Sequence, residues 1–188
     1  MTQIRGKFRR LSRVLAVSLG LCALLTHAQA QDIDLPANAV IAPDGTARGP
    51  ETNLPLPRFV SLKASEANIR RGPSLSHRID WIFTRRDMPL QIVAEYGHWR
   101  RVIDREGIGG WVHYSLLSGV RTVIVDQDLL PILSRAESGA PIVAQLEAGV
   151  IARIDECTID WCDISAGGYD GWAPKTALWG VAADEILD

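Results

Sequence analysis

The sequence predicts an all-β fold: two tandem small barrels behind a secretory leader and a proline-rich tether. Three observations lead there. From residue 58 onward the chain is a series of short alternating or β-rich runs separated by turn residues. Landmarks in the first half recur in the second at a shift of 61 or 62 residues. No stretch carries a sustained helical period.

The first 30 residues read as a leader. A basic start (MTQIRGKFRRLSR), the apolar run VLAVSLGLCALL and Ala28-Gln29-Ala30 have the layout of a secretory signal peptide, cleaved after Ala30. The apolar run is too short to span a bilayer. Leu21 stands before Cys22 where a lipidation signal needs a small residue. The expected mature chain is therefore periplasmic or secreted, with no membrane span. Loss of five basic residues with the leader takes the formal net charge from −2 to −7. A net-acidic chain argues against nucleic acid as a partner.

Residues 31–57 hold five prolines and no apolar periodicity, so they read as an extended, disordered tether. The first repeat then spans 58–119 and the second 120–188. Trp99 recurs as Trp161, Gly110-Trp111 as Gly171-Trp172, and Leu117 and Gly119 as Leu178 and Gly180. Strands are expected at FVSLKA (59–64), PLQIVAEY (89–96), WRRVID (99–104), RTVIV (121–125) and VIARIDE (150–156). Arg71-Gly72-Pro73-Ser74, Tyr96-Gly97-His98 and Arg105 to Gly110 are the turn signals between them. Gly110 and Gly171 precede a bulky tryptophan, which suggests close backbone approach or a bulge. Trp111 and Trp172, with Trp161, are expected in the barrel cores, a large apolar side chain burying ~150–250 Å².

The first copy also resembles a known family. Asn68, Arg70, Gly72, Pro73 and Ser74, then Trp99 with Val102, then Gly110, Trp111, Val112 and Leu117 follow the hallmarks of a bacterial SH3-like (SH3b-type) domain. The second copy keeps Trp161, Gly171, Trp172 and Leu178 but replaces the R-x-G-P-S turn with Ser134-Arg135-Ala136-Glu137, which speaks against a ligand site there. The resemblance implies an SH3-like barrel in each copy. It also implies a module that binds cell-wall peptidoglycan or its peptides, or an envelope adaptor working through protein–protein contacts.

The chemistry-bearing residues favour binding over catalysis. His77, His98 and His113 are in the first copy, while the two cysteines left after leader removal are in the second. No C-x2-C or H-E-x-x-H spacing for zinc occurs, and no cofactor or metal is expected. Asp160, Asp163 and Asp170 read as turn formers on a solvated face. A ligand groove is expected on the first copy, drawn from Arg70, Arg71, Trp81, Arg85, Arg86, Tyr96, His98 and Trp99, because arginines beside an aromatic shelf suit a peptide with free carboxylates. Residues 58–120 carry net +4 and 121–188 net −8, so the basic module could meet an anionic partner or the two modules could dock on each other.

In an oxidising compartment an even cysteine count favours a disulfide. Shifted by the repeat, Cys157 and Cys162 fall on Glu95 and Arg100, flanking the same hairpin tip. Cross-strand neighbours lie within disulfide reach. A Cys157–Cys162 disulfide is expected in one copy and a surface Glu95–Arg100 ion pair in the other.

Overall fold

A computed structural model describes residues 38–188. The expected leader (1–30) and the start of the tether (31–37) lie outside the described residues. The described chain is nearly all β, in two seven-stranded antiparallel sheets of identical order.

The first module is built from β3 (Arg58–Leu62), β4 (Ala67–Arg70), β5 (Ile79–Phe83), β6 (Pro89–Tyr96), β7 (Trp99–Ile103), β8 (Gly109–His113) and β9 (Leu117–Ser118). Its sheet order is β5-β4-β8-β7-β6-β3-β9. The second repeats it with β10 (Thr122–Val125), β11 (Leu130–Leu133), β12 (Ile142–Leu146), β13 (Ile151–Cys157), β14 (Trp161–Ala166), β15 (Tyr169–Pro174) and β16 (Leu178–Trp179), in the order β12-β11-β15-β14-β13-β10-β16. One short 3-10 turn precedes the last strand of each module, at Tyr114–Leu116 and Lys175–Ala177. Both long hairpins carry a register shift at equivalent places, between Ile92 and Ala94 and between Ile154 and Glu156. The bulge turns two successive residues of the first module, Ala94 and Glu95, inward together.

The cores are aliphatic. Leu62, Ile69, Leu90, Ile92, Val102 and Val112 fill the first. Val123, Leu130, Ile132, Ile164, Ala173 and Leu178 fill the second around a Cys157–Cys162 disulfide. Each fully buried Leu or Ile contributes about 1.5–3 kcal/mol. The tryptophans expected as core are not there. Trp111, Trp161 and Trp172 are only half-buried and lie outside both clusters. Strand parity explains the correction: Val112 and Ala173 point inward, so the residues next to them face out. The glycines behave as expected. A Cβ on Gly110 would come within 2.5 Å of the Arg70 carbonyl oxygen, and one on Gly171 within 3.0 Å of that of Leu133.

The disordered tether is corrected over residues 38–57. Here the chain forms a small hairpin, β1 (Val40–Ile41) with β2 (Ala47–Arg48), and then a strap across the first module. Leu56 inserts into the first core. Glu95, expected as half of a surface ion pair, is fully buried beneath the strap. Its carboxylate accepts from the Glu51 and Thr52 amides at 3.1 and 3.0 Å, from the Thr52 hydroxyl at 2.7 Å and from Arg58 at 2.6 Å. Arg100, also buried, stands 3.4 Å away. Buried carboxylates persist only when so satisfied, and the strap supplies the donors. The C-terminal tail does the corresponding job on the second module. Leu187 exchanges both backbone hydrogen bonds with Cys157, and Glu185 pairs with Arg121. With its backbone groups turned to Leu187, Cys157 forms a non-hydrogen-bonded pair with Cys162, the closer kind, with Cα atoms 4.0 Å apart.

Candidate functional site

Hairpin β6–β7 ends in the turn Gly97-His98, with Tyr96 opposite Trp99. Gly97 takes φ +50°, a conformation glycine adopts without a Cβ penalty. Buried Arg100 shapes this turn from below, donating to the Gly97 and Trp99 carbonyls at 2.9 and 2.8 Å. The strap holds it from the side, where the Gly97 amide donates to the Glu51 carboxylate at 2.8 Å. Strand β8 brings His113 opposite Trp99 in register. The chain then turns, and the Tyr114 amide donates back to the His98 carbonyl at 3.0 Å.

Four rings therefore converge at one end of the first module. His113 lies edge-on to Trp99 at 5.7 Å and tilts against Tyr114 at 4.9 Å. His98 sits 5.6 Å from Tyr114 and 5.9 Å from His113. The Arg100 guanidinium approaches the Tyr114 ring at 5.9 Å, at the edge of cation–π range. His98, Tyr96 and Tyr114 are exposed, so the cluster is a platform and not a core. The His113 Nδ1 shares a hydrogen bond with the Ser115 hydroxyl at 2.8 Å and caps the following turn.

Of the eight residues expected in a groove on the first module, the fold brings Tyr96, His98 and Trp99 together. The other five lie elsewhere. Arg70 braces the 71–78 turn by donating to the Leu75 and His77 carbonyls, and Arg71 shares the Asp80 carboxylate with Arg78. Those hydrogen bonds hold the Asp80 carboxyl below its ordinary range. Trp81 is half exposed on the edge strand β5. Arg85 donates to the Gly149 carbonyl of the second module at 2.9 Å, and Arg86 lines a cleft between the modules. Sequence reasoning missed Glu51, His113 and Tyr114 as parts of the tip, and placed Arg100 beside it only as the ion-pair partner of Glu95. Only the alignment of the copies carried a signal, since His113 and Tyr114 correspond to Pro174 and Lys175 beside the Trp161 landmark.

The second module builds the same scaffold with different side chains. Trp161 pairs with Pro174, and the Lys175 amide donates to the Asp160 carbonyl at 2.9 Å. Without the histidines and Tyr114, this end is a groove of about 340 Å³ between Ile159, Trp161, Pro174 and Val181. Past the Trp161–Pro174 ridge lies a second groove of about 410 Å³, walled by Leu130, Leu133, Ala140 and Ile142. The divergent copy thus carries two largely apolar grooves. Acidic groups crowd the neighbouring face. Burial, reinforced by Asp155, Asp170 and Glu156, pushes the Asp163 carboxyl upward. Among the described residues no His/Cys/Asp/Glu group has metal-site geometry, and no helix is long and apolar enough to cross a membrane.

The fold defines a tandem of two small β-barrels of the same topology, with an aromatic cluster at the hairpin tip of the first. The family described as "Bacterial SH3 domain" matches twice, over residues 63–119 and 126–180, and the chain belongs to that family. No curated protein matches. Two solved structures from Trichomonas vaginalis, titled as NlpC2 and NlpC1, show similarity at 16% identity and a TM-score of 0.32. The alignments cover 65% and 68% of this chain, which spans 48% and 47% of theirs.

Proposed function

We propose that this chain is a non-enzymatic, periplasmic or secreted module that binds cell-wall polymer through the tip of its first barrel. The observation that carries the reading is the His98–Trp99–His113–Tyr114 platform, with His98 and Tyr114 exposed and Trp99 and His113 half-buried, held over the buried Arg100 cation. Aromatic faces cover the apolar side of a glycan or peptide, while imidazole and phenol groups offer hydrogen bonds to its polar edge. Membership of the bacterial SH3 family supports it. The non-catalytic part has chemical support. Cys157 and Cys162 are joined in a disulfide, so neither offers a free thiolate nucleophile.

The test is co-sedimentation of the purified chain with sacculi. We expect retention at low salt, reduced at least tenfold in affinity by Tyr114→Ala with His98→Ala, both exposed positions. Absence of the unsubstituted chain from the pellet overturns the reading. A second reading, an envelope adaptor, is favoured by the two apolar grooves flanking Trp161 and Pro174. Crosslinking in the envelope followed by partner identification separates the two.

A further inference from the structure

A third cavity lies between the modules and shares no residue with the tip platform. It is a polar cleft of about 470 Å³, within the ~300–1,000 Å³ range of small-molecule sites. Arg86 and Asp87 of the first module form one wall, and Arg153 and Ser165 of the second form the other. The floor is at Thr122.

The loop bearing Arg86 is fixed. Asp87 adopts φ +62°, uncommon for a residue with a side chain. Its amide donates to the Leu62 carbonyl at 2.8 Å, and its carbonyl accepts from the Thr122 hydroxyl at 2.7 Å. Arg85, one residue earlier, is tied to the Gly149 carbonyl. Anchored on both sides, Arg86 faces the cleft, and among the described residues no ion pair holds its guanidinium. Arg153 comes from the opposite module with only a 3.6 Å contact to the exposed Asp155. The modules therefore bring two weakly committed arginines to one polar cavity, on a chain that is acidic overall.

We propose that this inter-module cleft binds the C-terminal carboxylate of a short peptide. A planar guanidinium matches a carboxylate with two parallel hydrogen bonds, and two of them would hold it from both sides. Asp87 decides between anions. Its charge repels a phosphate dianion more than a carboxylate, and it can accept from the peptide amide next to that carboxylate. Ser165 offers a neutral hydroxyl to the same chain. This inference does not rest on the cell-wall reading, and the two can fail separately.

The experiment is calorimetric titration of the purified chain with acetyl-Ala-Ala, in both chiralities, against the same peptide as its C-terminal amide. We expect the acid to bind and the amide to bind at least tenfold more weakly. Arg86→Gln and Arg153→Gln should each weaken the acid at least tenfold. Arg101→Gln, an exposed arginine outside the cleft, should leave it unchanged. Both cleft arginines are solvent-facing, so thermal unfolding should show the variants fully folded. The proposal is overturned if the acid does not bind at millimolar concentration, or if acid and amide bind alike. Equal weakening by Arg101→Gln, or displacement of the peptide by inorganic phosphate at matched ionic strength, also overturns it.

Discussion

Glu95 is the residue on which the largest part of the tip depends. It is a buried carboxylate facing two arginines and three further donors from a strap more than 40 residues away in sequence. Burial pushes its pKa up, but the Arg58 and Thr52 hydrogen bonds and the Arg58 charge outweigh it and leave the carboxyl below the ordinary glutamate value of 4.5. A depressed carboxylate stabilises the fold fully above its unfolded-state value, and that contribution disappears as pH falls through the lower folded value. Stability should therefore fall with acid, beginning near about pH 4.5 and continuing below. Glu95→Gln keeps the shape but strands Arg58 and Arg100, a change that costs about 3–5 kcal/mol in buried pairs. Urea unfolding across pH checks both. The variant should be weaker at neutral pH and lose less stability on acidification, the remaining loss coming from carboxyls such as Asp80 and Glu185 that are also held low, and an unchanged slope would show that Glu95 does not contribute to acid sensitivity.

At the scale of elements, the two copies offer an internal control. Gly110 and Gly171 occupy equivalent positions, yet the second backbone approach is looser by half an ångström, 3.0 against 2.5 Å. Gly110→Ala should cost more than Gly171→Ala, with overpacking of this kind worth about 1–3 kcal/mol. Denaturation midpoints of the two single variants decide it, and equal losses would contradict the geometry. These glycines are legible in sequence because each precedes a bulky residue in a β-rich run. The tryptophans mislead for the same reason: size suggests core, whereas parity with Val112 and Ala173 places them outside. Strand β6 is legible to its observed ends because PLQIVAEY is a β-rich run closed by the Tyr96-Gly97-His98 turn signal, although a bulge breaks its alternation. The expected strands cover β3, β6, β7, β10 and β13, and leave out the hairpin arms β4, β5, β11 and β12 and the strands β8, β9, β14, β15 and β16. The strap is illegible because its docking rests on Leu56 and on a carboxylate far along the chain, and neither contact leaves a local pattern.

At the scale of the whole molecule, charge asymmetry points to docking of the modules, and they are joined by contacts of several kinds. The buried Ser61 and Thr122 hydroxyls meet at 2.6 Å, Ser61 donating to Thr122 while Thr122 donates to the Asp87 carbonyl. Phe59 packs edge-on against Trp179 at 5.3 Å, with the Arg121 guanidinium 5.8 Å from the Phe59 ring. Arg105 pairs with Asp126 at 2.8 Å, but that pair is exposed and worth only about 0–1 kcal/mol. The buried hydroxyls and the aromatic pair therefore dominate, and opposite charge plays the smaller part. Modules coupled this way should unfold in one transition, with calorimetric and van't Hoff enthalpies equal. Trp179→Ala removes the aromatic contact while leaving both cores filled, since Trp179 belongs to neither cluster. We expect that variant to unfold in two resolved steps, or with a van't Hoff enthalpy well below the calorimetric one. High salt should leave the single transition of the unsubstituted chain intact, because screening removes only the Arg105–Asp126 term. A single transition that splits on adding salt would reverse the ranking and make charge the principal tie between the barrels.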